Sequence, residues 1–131
     1  MTKLRVAICL AFCSAVCIAT MADAQMPLPA PKPLDGATLF KQQCGTCHAT
    51  SSSEPDRQGP QLSKIVGRRA GSVEGFRYSA GFLKADFVWD EARLDAWITD
   101  PQALIPGAVM AYRQSKPEVR TAIVAYLKEL N

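Results

Sequence analysis

Cys44-Gly45-Thr46-Cys47-His48 sets two thiols three residues apart and puts an imidazole directly after the second. On one helical turn, thiols at this spacing can each add to one vinyl group at the edge of the same porphyrin. The following ring is then delivered beneath the iron. The pentapeptide is the C-x-x-C-H signature of covalent haem attachment, with His48 as the proximal ligand. Two other chemistries use similar residues. A zinc site needs about four protein ligands. Beyond the N-terminal apolar segment the chain has only these two cysteines and His48, its single histidine, so carboxylates or a second chain would have to complete such a site. A thioredoxin-like redox pair would suit Cys-Gly-Thr-Cys in an exported protein. That fold needs a strand before the motif within a βαβ pattern, which Leu39-Phe40-Lys41-Gln42-Gln43 does not resemble. A thiol oxidoreductase of that kind would show no haem colour.

With His48 on one face of the iron, no histidine remains for the other. Beyond the N-terminal apolar segment the soft donors left are Met26 and Met110. Met26 lies among prolines, whereas Met110 follows Ile105-Pro106-Gly107, a turn rigid enough to hold a thioether in place. A buried methionine is commonly core filling. Here elimination makes Met110 the expected sixth ligand, and His/Met ligation is the electron-transfer pairing. An open or labile sixth position would instead suit a haem enzyme or a gas sensor, and prompt carbon monoxide binding would reveal it.

These residues need elements to hold them. Asp35 is placed to cap a helix along which Ala37, Phe40, Cys44 and Cys47 recur at helical spacing, so both thiols are expected one turn apart on a shared face. From Ala49 to Phe87 no period persists, and glycine recurs from Gly59-Pro60 to Gly81. A loop of that length fits a compact domain when it wraps a large prosthetic group that supplies the missing core. Asp90 and Glu91 favour a helix start, with Leu94, Trp97 and Ile98 as its apolar stripe and Pro101 as its stop. Ser115-Lys116-Pro117-Glu118 reads as a capping box for a last helix, with Val119, Ala122, Ile123, Tyr126, Leu127 and Leu130 on one face. There is no alternating strand pattern, so the expected class is all-α.

The 131 residues leave room for one domain. Lys3 and Arg5 precede an uncharged apolar run from Val6 to Thr20, and Ala22-Asp23-Ala24 offers the small-x-small pattern of signal peptidase. Residues 1–24 therefore read as a signal peptide cut before Gln25, the alternative being an uncleaved anchor. Cys9, Cys13 and Cys17 would leave with it. Residues 25–34 form a proline-rich tether, with Pro27, Pro29, Pro31 and Pro33 in alternation, and residues 35–131 form the domain. Cleavage leaves 13 Lys and Arg against 11 Asp and Glu, a net +2 that two haem propionates bring close to zero. Without clustered basic residues, nucleic acid is not an expected partner.

Over Gly36 to Leu130 the chain resembles mitochondrial-type cytochrome c and bacterial cytochrome c2, the class I c-type cytochromes. Phe40, the Cys44–His48 motif, Gly59-Pro60, Gly67-Arg68, Tyr78, Trp89, Pro101, Pro106-Gly107, Met110 and Tyr126-Leu127 carry the resemblance in order and spacing. It implies the cytochrome c fold, short helices and long loops around one covalent haem c. It implies that the Pro60 carbonyl accepts the His48 ring N–H, orienting the ligand and raising its basicity. It also implies that Arg68, Tyr78 and Trp89 hydrogen-bond a buried propionate, and that Gly36 and Phe40 meet Tyr126. The sequence departs from the pattern as well. Trp97 stands for a tyrosine near the methionine, Ala108 for a threonine that contacts a propionate, and Phe82 for a polar residue. Gln43, Gln102, Ala103 and Val109 stand where lysines ring the haem edge in mitochondrial relatives. The resulting expectation is a monomeric periplasmic electron carrier of the respiratory chain, not an enzyme. Its partners would be redox proteins such as a membrane cytochrome complex, an oxidase, a reductase or a dehydrogenase, and it would not insert in the membrane after cleavage.

Overall fold

The computed structural model describes residues 32–130. The expected signal peptide, most of the tether and Asn131 lie outside them. Lys32, Pro33 and Leu34 are exposed and have no regular secondary structure. Five helices follow: α1 (Gly36–Gln43), α2 (Ala80–Leu83), α3 (Glu91–Thr99), α4 (Pro101–Leu104) and α5 (Pro117–Glu129). Among the described residues the only β pairing is an isolated antiparallel bridge between Arg69 and Val88. The fold is all-α.

Asp35 is extended and its carboxylate accepts from the Ala37 N–H at 3.1 Å, which fixes where α1 begins. Gly36 then lets α1 lie against α5. A Cβ there would overlap the Ala122 carbonyl oxygen and come within 2.9 Å of the Tyr126 Cβ. One turn later Phe40, buried, stacks tilted on Tyr126 with centroids 5.4 Å apart. From α5 the core takes Val119, Ile123, Val124 and Leu127. Complete burial of one such aliphatic side chain is worth about 1.5–3 kcal/mol.

The last helix starts differently from the expected capping box. Pro117, whose fixed φ and missing N–H suit the first helical position, makes Lys116 the N-cap, and no side chain caps it. Ser115 thus lies one residue too early, and its carbonyl accepts from Arg120 Nη1 at 3.2 Å. The same Arg120, 13% exposed, donates from Nε to Asp95 Oδ1 at 2.8 Å and ties α5 to α3.

Asp90 caps α3 by accepting from the Arg93 N–H at 2.7 Å, and Leu94, Trp97 and Ile98 are buried as the stripe requires. Pro101 does stop α3, and it also opens α4. Asp100, extended, caps that second helix by accepting from Gln102 N at 3.1 Å and Ala103 N at 3.4 Å. Between Ala49 and Phe87 the chain turns repeatedly, with α2 as its one helix. α2 meets the Pro106 backbone at Gly81, which connects this long stretch to the segment carrying Met110.

Candidate haem site

Helix α1 ends before the thiols instead of running through them. The Phe40 carbonyl accepts from both Cys44 N and Gly45 N at 2.8 Å, which widens the last turn and closes the helix at Gln43. A separate turn follows, in which the Cys44 carbonyl accepts from Cys47 N and His48 N at 3.0 Å. Cys44 and Cys47 thus sit at the two ends of one hydrogen-bonded turn, both partly exposed. Burial, reinforced by the neighbouring Cys47, pushes the Cys44 thiol up to about 11.

His48 is fixed from both chemistry and shape. Its Nδ1 lies 2.7 Å from the Pro60 carbonyl oxygen, and since that oxygen can only accept, Nδ1 carries the proton and Nε2 keeps a free lone pair. Burial lowers the ring's pKa, opposed by the Pro60 bond, so the neutral ligand form prevails near neutral pH. Gly59 N–H reaches back to the Cys47 carbonyl at 2.8 Å. A Cβ at Gly59 would overlap the His48 ring itself, so only glycine leaves room for the imidazole.

Arg68 and Trp89 are brought side by side by backbone pairing. Trp89 N donates to the Arg68 carbonyl at 2.9 Å, and Gly67 N donates to the Trp89 carbonyl at 2.8 Å. Arg68 spends two of its donors on the carbonyls of Ser63, at 2.9 Å, and Gln61, at 2.8 Å. Its pKa is lowered by burial, with Tyr78 and Asp56 acting in opposition. The Tyr78 hydroxyl accepts from Val73 N at 3.2 Å, and its ring stacks on Phe82, which stands edge-on to Trp97 at 5.1 Å. Trp89 and Trp97 are 5% and 8% exposed and pack 5.8 Å apart. Phe82 and Trp97, two of the departures noted in the sequence, therefore close an aromatic wall.

One polar atom was missed in the sequence. Ser79 Oγ is buried without a hydrogen-bond partner, directly after Tyr78. An orphaned hydroxyl costs about 1–3 kcal/mol, and a propionate oxygen would satisfy it. A serine beside a turn gives no sequence signal by itself. Met110 is partly buried and packs, like Cys44, Phe82 and Tyr112, against the single core cluster. The donors fit haem: two thiols for the vinyl groups, one neutral imidazole nitrogen, a soft thioether, and polar groups for a propionate. Among the described residues no three of His, Cys, Asp and Glu stand together as a cation site would require.

The comparisons agree with this chemistry. The family model described as cytochrome c matches residues 34–131. The cytochrome c of Kluyveromyces lactis is 36% identical over 105 residues, covering 78% of this chain and 96% of the relative. The cytochrome c2 of Rhodomicrobium vannielii is also 36% identical, over 72% of this chain and 76% of its own. The cytochrome c of Chlamydomonas reinhardtii is 35% identical over 72% of this chain and 85% of its own. A thiol turn that ends on the only histidine, in a helical chain matched along nearly all of its described length, places this protein in the class I c-type cytochromes, electron carriers built on one covalent haem c.

Proposed function

We propose that this chain is an exported, monomeric electron shuttle in which His48 and Met110 ligate the iron and Cys44 and Cys47 anchor the haem by thioether bonds. When bound, haem supplies a one-electron Fe(III)/Fe(II) couple. The observation that carries the reading is the state of His48: Nδ1 is committed to Pro60, Nε2 is free, and no second histidine exists to compete with Met110. A thioether favours the reduced iron and raises the potential. Arg68, Tyr78, Ser79 and Trp89 hold a propionate, and the Phe82, Trp89 and Trp97 wall excludes water. The N-terminal leader supports a periplasmic location, and among the described residues no helix is long and apolar enough to cross a membrane. Redox proteins are the partners, a membrane cytochrome complex, oxidase, reductase or dehydrogenase among them. The test is the absorption spectrum of the reduced protein with and without carbon monoxide, together with intact mass. A closed His/Met site leaves the spectrum unchanged, and the mass equals residues 25–131 plus one haem. Prompt CO binding would instead indicate a ligand-binding or catalytic haem.

A further inference from the structure

The segment that carries Met110 has little backbone support. From Pro106 to Ser115 there is no regular secondary structure, and among the described residues only Ala108 and Gln114 there donate to main-chain carbonyls, those of Ile105 at 3.1 Å and Ile98 at 2.7 Å. Side-chain brackets on each side of Met110 take over. Upstream, Gln102 on α4 accepts from Gly107 N at 3.1 Å through Oε1, and through Nε2 donates to the Ala108 carbonyl. Downstream, the Tyr112 hydroxyl donates to Gln43 Oε1. Gln114 Nε2 donates to that same oxygen at 3.0 Å and to the Tyr112 hydroxyl at 3.1 Å, closing a triangle. Gln114 Oε1 accepts from Lys116 N at 3.0 Å.

The downstream bracket has a particular reach. Gln43 is the last residue of α1 and immediately precedes Cys44, while its partners are 69 and 71 residues away in sequence. It therefore links the methionine segment to the thiol turn without passing through the core. Both brackets are uncharged, so salt does not screen them as it does the exposed Arg113–Asp100 ion pair that also ties this segment to the start of α4. Gln43 and Gln102 are not spare surface polarity: each holds two contacts on the methionine segment.

We propose that Gln43, Gln102, Tyr112 and Gln114 are positioning residues that set how firmly the Met110 thioether is held on the iron. The proposal rests on the reading of Met110 as sixth ligand. A competing ligand binds only when the segment is open, so its apparent dissociation constant is the intrinsic one divided by the open fraction. Each neutral hydrogen bond removed raises that fraction by about two- to tenfold.

Imidazole titration of the oxidised holoprotein, followed by absorbance, reads this directly. Tyr112→Phe removes only a hydroxyl and Gln102→Leu removes only an amide. Each removes two hydrogen bonds and should bind imidazole at least about fourfold more tightly than wild type. Gln43→Glu keeps the accepting oxygen and should match wild type, whereas Gln43→Leu should match Tyr112→Phe. Met110→Ala sets the open limit and should bind at least about a hundredfold more tightly. If Met110→Ala is much tighter but Tyr112→Phe and Gln102→Leu equal wild type, the brackets are mere packing and the proposal is wrong. If Met110→Ala itself equals wild type, the His/Met reading fails, and the proposal with it. Gln102→Leu could fail to yield holoprotein, and Tyr112→Phe then carries the test alone.

Discussion

The two sides of the proposed haem site are built in opposite ways. On the His48 side, most restraints are main-chain atoms close in sequence: the Cys44 carbonyl, the Cys47 carbonyl with Gly59, and the Pro60 carbonyl on the ring, joined by Arg57 on the Gly45 carbonyl and Gln58 on the Cys47 thiol. On the Met110 side they are side chains drawn from several elements, α1, α4, α5 and the segment itself. A main-chain restraint is insensitive to most substitutions, because every residue supplies the same carbonyl. A side-chain restraint can be removed one atom at a time. The histidine side should therefore fail all at once, and the methionine side should be adjustable by degrees.

The sharpest way to break this contrast is at Gly59. Gly59→Val places branched carbon where the His48 ring lies, and the yield of haem-loaded protein, read by haem staining and mass, should fall at least about tenfold through overpacking. Normal yield with a wild-type spectrum would show that the histidine side yields as readily as the other. Met110→Ala comes next. It should keep its covalent haem, lose the weak far-red sulfur-to-iron band of the oxidised form, drop in potential and gain CO binding. Unchanged spectrum and CO reactivity would reduce Met110 to packing.

Gly36→Ala tests the scaffold beneath the thiol turn. The added carbon overlaps the Ala122 carbonyl oxygen, so thermal or denaturant unfolding should show a loss of about 1–3 kcal/mol with little spectral change. Ser79→Ala should cost less stability than an ordinary buried hydrogen bond if the hydroxyl is truly orphaned. If it holds a propionate, a shift in midpoint potential accompanies a loss of about 1 kcal/mol. The smallest effect concerns salt. Val109 is 84% exposed beside Met110, and Gln43 and Gln102 are engaged in the brackets, so electron-transfer rates with partners should fall only shallowly between low and moderate ionic strength. A steep fall would locate the docking charge elsewhere on the surface.

Much of this was legible in the residues. The Asp35 cap, the stripe of α3 and the contact of Gly36 and Phe40 with Tyr126 follow from short-range chemistry or from the family pattern, and all are present. What could not be read divides into two kinds. Helices α2 and α4 have four residues each, too few for a period to develop, and Asp100 serving as both the end of one helix and the cap of the next has no distinct signature. The capping box failed because Pro117 competes for the first helical position and wins. Ser79 and the glutamine brackets are of the second kind. Their meaning depends on partners tens of residues away, so Gln43 and Gln102 looked like lost charge until Tyr112, Gln114 and the 107–108 backbone were seen around them.

The contact between α1 and α5 has a mechanical consequence. Gly36, at the start of α1, rests on Tyr126, which is three residues, or roughly 5 Å of helix, from the end of α5. The domain's two ends are thus latched to each other like a clasp. A pulling force applied between a tether before α1 and anything attached after α5 would load this latch together with the Lys128–Glu91 ion pair and the Lys64 N–H to Leu130 carbonyl bond. Since the thiol turn follows α1 directly, opening the latch on the α1 side would tug on Cys44.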